Sequence, residues 1–85
     1  MSVNRYDIPL PRIEGAQSEI VVAAWLKQPG DPVKAGEIVA EVSTDKVNVE
    51  IASPVTGVLE TILVGEGATV VEGMPLGRVV LELRP

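Results

Sequence analysis

The 85 residues hold 46% hydrophobic side chains, almost all Val, Ile, Leu and Ala, with no Phe and single copies of Tyr6 and Trp25. A chain this short buries only about 60–65% of the surface its unfolded form exposes, which leaves material for one thin, β-rich core. The absence of Cys and His excludes disulfides, thiolate metal sites and imidazole chemistry, and a net charge of -5 with seven scattered basic residues excludes a phosphate-neutralising surface for nucleic acid.

In chain order, the polar start is not followed by an apolar run of signal-peptide or membrane length, so the expectation is a protein that is neither secreted nor membrane-bound, in a bacterial cytoplasm or an organelle matrix. Runs rich in β-branched residues predict strands over 5–10, 19–26, 37–43, 47–52, 58–64 and 76–83, each bounded by Gly, Pro, Asp or Ser. Six strands in so short a chain imply an all-β antiparallel sandwich or barrel. Alternation is clearest where Ile38, Ala40 and Val42 oppose Val39, Glu41 and Ser43, and where Val47, Val49 and Ile51 oppose Asn48 and Glu50. Pro9, Pro11, Pro29, Pro32, Pro54 and Pro75 leave no stretch with helical periodicity.

A repeat at an offset of 37 residues places Gly30, Val33, Gly36 and Val42 on Gly67, Val70, Gly73 and Val79, and Leu26 on Leu63. Each Gly-x-x-Val-x-x-Gly loop lacks the spacing and following helix of a phosphate cradle. The structural reading is that the glycines supply positive φ while Val33 and Val70 plug the core. Two similar halves predict two sheets related by an approximate twofold axis, with the turn at 44–47 far from the chain termini.

That turn joins the two best-patterned strands through Asp45-Lys46. The pair matches poorly with the Asn-Gly or Asp-Gly of primed hairpin turns and suggests a type I turn, in which Asp45 either stabilises the loop or is read by another protein. Thr44 and Val47 read as strand ends. Glu41 and Glu50 read as a solvated face that can also serve as acidic docking surface. Lys27 and Lys34 read as surface charges, and Trp25 as a packing residue. No pair of carboxylates is placed as general acid and base, and none has calcium-loop spacing.

Ser43-Thr44-Asp45-Lys46-Val47, preceded by Trp25-Leu26 and Pro29-Gly30-Asp31-Pro32-Val33 and followed by Ser53-Pro54-Val55-Thr56-Gly57, resembles the lipoyl domains of 2-oxo acid dehydrogenase complexes over nearly the whole chain. The resemblance implies a flattened barrel-sandwich of two four-stranded sheets, with two short strands near Pro32-Val33 and Thr69-Val70 beyond the six read from periodicity. It implies covalent attachment of lipoic acid to the side-chain amine of Lys46, with Thr44, Asp45 and Val47 recognised by the modifying enzyme. Ser43 departs from the acidic residue that many members carry three positions before the modified lysine. Ile13, Glu14, Gly15 and Ala16, in the loop expected near the hairpin, join Glu41 and Glu50 as candidate docking residues.

On this resemblance residues 1–85 form one non-catalytic carrier domain, an N-terminal piece of a multidomain dihydrolipoamide acyltransferase, monomeric when isolated. The implied partners are a thiamine-dependent 2-oxo acid decarboxylase, the acyltransferase core, the flavin-dependent dihydrolipoamide dehydrogenase, and a lipoate ligase or lipoyl transferase. Asp-Lys-Val rather than Asp-Lys-Ala leans towards 2-oxoglutarate or branched-chain acids over pyruvate. Two rival readings stay open. A biotin carrier shares the hairpin but flanks its lysine as Met-Lys-Met, against Asp45 and Val47 here, and an unmodified barrel-sandwich module serves only for interaction. Glycine-cleavage carriers also bear lipoate, but are longer.

Overall fold

Residues 4–13 and 19–81 are described by a computed structural model. The chain forms eight strands: β1 (Arg5–Pro9), β2 (Ile20–Trp25), β3 (Pro32–Val33), β4 (Ile38–Ser43), β5 (Asn48–Ala52), β6 (Gly57–Ile62), β7 (Thr69–Val70) and β8 (Pro75–Val80). They make two antiparallel four-stranded sheets, ordered β1-β8-β6-β3 and β5-β4-β2-β7. The six long strands are those expected from periodicity, trimmed at one or both ends, with β6 and β8 each starting one residue earlier than expected. β3 and β7 are the two short ones that the family resemblance implied, and at two residues each they are too brief to show alternation.

The 37-residue repeat is a structural twofold. Gly30 N–H donates to Leu59 C=O at 2.7 Å, and Gly67 N–H donates to Val22 C=O at 2.8 Å; Leu26 N–H donates to Val39 C=O at 2.8 Å, and Leu63 N–H to Leu76 C=O at 2.9 Å. Gly30, Gly36, Gly67 and Gly73 all take positive φ, between 84° and 99°, a region in which a side chain is strained. Between them Val33 and Val70 are buried, as the plugs of the two loops.

Inward-facing Ile8, Val22, Val33, Val42, Leu59, Val70 and Val79 fill the space between the sheets with Leu10, Ala40, Ile51 and Leu76. Each large aliphatic side chain so buried contributes roughly 1.5–3 kcal/mol against the cost of ordering the chain. One alternation is broken. Val39, expected on the outer face, is fully buried beside Ala40, because the register shifts between Ile38 and Ala40 in the β4–β5 ladder. A bulge puts two consecutive side chains on one side, and Val39 joins the core while Ile38 is left half-buried. Trp25 packs as expected: its indole N–H donates to Val64 C=O at 2.8 Å, and its ring covers Gly77, where a Cβ would lie 2.8 Å from Cη2.

Connectivity sets the place of the β4–β5 turn. β5 runs away from the turn to Ala52, and the chain then enters β6 at Gly57, whose neighbour Val58 pairs with Val80 at the end of β8 nearest the termini. The turn therefore stands at the opposite end from Asn4 and Leu81. The twofold makes the same point, since the Thr44–Val47 backbone bond has as its twin the Leu81–Asn4 bond, both at 2.9 Å.

Candidate functional site

The turn is held by a side chain that reads in the sequence as a mere strand end. β4 stops at Ser43, and Thr44 N–H donates to Val47 C=O at 2.9 Å. The Thr44 hydroxyl then accepts from both Lys46 N–H and Val47 N–H at 3.1 Å and donates back to Val47 C=O at 3.3 Å. This hydroxyl-centred turn satisfies the two N–H groups that follow Asp45 without asking for positive φ. No described non-glycine residue has φ above zero, which excludes the primed turns at Asp45-Lys46.

Asp45, Lys46 and Val47 are all exposed, and Val47 keeps 50% of its surface in solvent although it is apolar. The Lys46 ammonium has no hydrogen bond or ion pair among the described residues. The other two lysines are placed differently. Lys34 lies in the loop between β3 and β4. Lys27, read as a free surface charge, is a half-buried partner of Glu37 at 2.8 Å. The hydrogen bond to Glu37 holds the Lys27 amine above its ordinary range despite partial desolvation. The same bond, helped by Lys34 N–H donating to the Glu37 carboxylate at 2.9 Å, holds Glu37 below the usual carboxylate range. A proton is harder to remove from Lys27 as a result.

The remaining candidates spread out from the turn. Glu41 and Glu50 face each other across β4 and β5 on the outer surface of their sheet. Ile13 packs against the core and borders a shallow groove of about 280 Å³ with Ile20, Val70 and Val71, rimmed by Glu19 and Glu72. Val21 pairs with Ser43, so the start of β2 lies at the turn's end of the sheet. Glu14, Gly15 and Ala16 lie outside the described residues. No group of three or more Asp or Glu able to hold a metal ion is found among the described residues.

Residues 7–79 match the biotin/lipoyl family described as "Biotin-requiring enzyme". The solution structure of the lipoyl domain of the 2-oxoglutarate dehydrogenase complex from Azotobacter vinelandii superposes with a TM-score of 0.69 and 37% identity, over 89% of this chain and 95% of that one. The chain belongs to the lipoyl-domain family.

Two longer relatives agree. The lipoyl domain is 44% identical over 73 residues to the dihydrolipoyllysine-residue succinyltransferase component of the 2-oxoglutarate dehydrogenase complex of Bacillus subtilis (strain 168), covering 86% of this chain and 18% of that protein. It is 47% identical over 70 residues to the dihydrolipoyllysine-residue acetyltransferase component of the pyruvate dehydrogenase complex of Mycobacterium bovis, covering 82% of this chain and 13% of that protein. The chain thus spans less than a fifth of these acyltransferases, and what it matches is their carrier module, not their catalytic part. No helix of the described residues is long and apolar enough to cross a membrane.

Proposed function

We propose that Lys46 is the attachment point of a lipoyl arm and that the domain carries this arm between the active sites of a 2-oxo acid dehydrogenase complex. The supporting observation is the Thr44-clamped turn, which pins the backbone of Lys46 while leaving its amine exposed and unpaired. Attack on an activated acyl group requires an accessible amine that gives up its proton transiently, which exposure permits and an ion pair such as that of Lys27 with Glu37 hinders. The dithiolane of a lipoyl group supplies, when bound, the acyl-accepting and two-electron chemistry that a chain without cysteine lacks.

The chain's own part is presentation. Thr44, Asp45 and Val47 form the surface that a lipoate ligase or lipoyl transferase reads, Ile13, Glu14, Gly15 and Ala16 form a docking surface for the decarboxylase, and Glu41 and Glu50 add an acidic docking surface beside the turn. Tethering to a multidomain acyltransferase raises the effective concentration of the arm at the decarboxylase, the acyltransferase core and the dihydrolipoamide dehydrogenase. Succinyltransferase and acetyltransferase relatives have similar identities, 44% and 47%. The preference for a 2-oxoglutarate or branched-chain complex over a pyruvate complex therefore rests on Val47 in the place of Ala.

Intact mass tests the assignment. The wild type and Lys46→Arg are each incubated with ATP, lipoic acid and a lipoate ligase, and separately with biotin and a biotin ligase. One lipoyl group on the wild type and none on the variant is the expected outcome. A biotin adduct, an unmodified wild type or a lipoylated Arg variant overturns it.

A further inference from the structure

Each sheet has one long outer strand, β1 or β5, and one of two residues, β3 or β7; β1 and β5 are twins under the internal twofold, which gives the molecule two equivalent long edges. In an antiparallel ladder bonded and non-bonded pairs alternate. Starting from the Thr44–Val47 bond, the Ser43–Asn48 and Glu41–Glu50 pairs are non-bonded, so the N–H and C=O groups of Asn48 and Glu50 point out of the sheet. Arg5 and Asp7 stand in the same way on β1.

The twin edges differ in charge. On the β1 side Arg5 pairs with Glu60 at 2.9 Å, and Asp7 pairs with Arg78, directly opposite it, at 3.0 Å. The position equivalent to Asp7–Arg78 in the other half is Glu50–Glu41, two carboxylates directly opposite each other with no ion pair among the described residues. Like charges so placed weaken a sheet, and the β1 half shows that the fold takes an ion pair there readily. The β5 edge also lacks the Lys or Pro that blunts exposed edges, whereas β1 ends in Pro9. Lys46 is two residues from its first outward-facing amide.

We infer that the enzyme that acylates Lys46 docks by adding a strand to the β5 edge, pairing its main chain with Asn48 and Glu50 and setting Lys or Arg side chains against Glu41 and Glu50. The inference deepens the carrier reading and rests on it. Strand addition takes its affinity from main-chain hydrogen bonds and fixes register. That register delivers the Lys46 amine at a set depth, which nucleophilic attack requires. Reactions at the far end of an attached arm have no such need of the β5 backbone, which assigns this edge to the modifying enzyme rather than to the decarboxylase.

The test is the kcat/KM of lipoylation by a lipoate ligase, with Tm measured on every variant. Glu41→Arg recreates the twin's ion pair, so it should melt no lower than the wild type yet be lipoylated roughly tenfold more slowly, most of all at low salt. A chain assembled by ligation with an ester in place of the amide between Val49 and Glu50 loses the outward N–H and keeps a weaker acceptor at the Val49 carbonyl, whose effect on the sheet the Tm reads; it should be slower by roughly three- to tenfold. Asp7→Asn, on the twin edge, should leave the rate unchanged. An unmodified wild type sinks the carrier reading and this inference with it. A modified wild type whose Glu41→Arg and ester variants keep wild-type rates sinks the inference alone, and so does a defect that appears only in reductive acylation by the decarboxylase.

Discussion

The two halves of the lipoyl domain share a backbone plan and almost nothing of its use. The half that contains β4 and β5 closes through the Thr44–Val47 turn and exposes Lys46; at the matching place its twin joins Leu81 to Asn4, which are far apart in sequence, by a backbone bond of the same 2.9 Å length. Where the first half sets Glu41 against Glu50, the second sets Arg78 against Asp7. The fold's needs are what the halves hold in common: the Gly-x-x-Val-x-x-Gly loops, the buried Val33 and Val70, and the reciprocal Gly30–Leu59 and Gly67–Val22 hydrogen bonds from each half to the other. What they do not share is left to function or to local packing, and each unshared pair is a place to perturb one half while the other serves as its control.

The largest effect is expected where the halves differ in volume. Gly57 opposite Val33 is the twin of Ile20 opposite Val70, yet a Cβ on Gly57 would press into the Val80 carbonyl oxygen and sit 2.9 Å from Val79 Cγ1. Gly57→Ala should cost about 2–3 kcal/mol through overpacking against backbone that cannot yield, lowering Tm by roughly 10–20 °C. Ile20→Val, which removes a methylene from the half-buried twin, should cost only about 0.5–1 kcal/mol. Thermal melts that rank these two the other way would show that the twin sites are not constrained as their surroundings indicate.

A smaller effect belongs to the turn. Thr44 has Leu81 as its twin, so the hydroxyl clamp exists in one half only. Thr44→Val keeps the shape and removes the acceptor for two N–H groups that water can partly reach, at a cost of about 1 kcal/mol. It should also slow lipoylation, because Lys46 is no longer held in one backbone conformation. Unchanged melting together with an unchanged modification rate would mean that the Thr44–Val47 backbone bond alone holds the turn.

Much of this was legible in the residues. The 37-residue offset exposes the twofold, β-branched runs mark the six long strands, and Asp45-Lys46 between two alternating strands marks the turn. Illegible features share a cause: they depend on atoms brought together from elsewhere in the chain or on a register that local pattern does not encode. The burial of Val39 follows from a bulge set by the β4–β5 pairing, and the two-residue strands β3 and β7 exist only through their partners β6 and β2. The Lys27–Glu37 pair joins a loop to the start of β4 across ten positions. The Thr44 clamp is the exception, since a Thr before a two-residue turn is a local signal, and strand propensity masked it.

The subtlest difference between the halves is electrostatic. Lys27 and Glu37 have Val64 and Met74 as twins, so an ion pair in one half stands where the other packs two apolar side chains against the core. Glu37 is held below the usual carboxylate range when folded, first by its bond to Lys27 and then by the Lys34 N–H. The unfolded chain therefore takes up a proton at that carboxyl before the native state does. The stability this supplies is whole above the ordinary carboxylate range and is lost as pH falls through Glu37's own lowered value. Lys27 is raised, so its share is whole below the ordinary lysine range and is lost as pH climbs through its elevated value. Replacing the pair with its own twin, as Lys27→Val with Glu37→Met, removes both titrations. Melting temperature followed from mildly acidic to strongly alkaline solution should then fall less steeply at either extreme for the double variant than for the wild type, with the two curves parallel near neutrality. Equal slopes in acid would mean that Glu37 gains nothing from Lys27 that water does not already give it, and the charged and apolar versions of this contact would be equivalent solutions to the same packing problem.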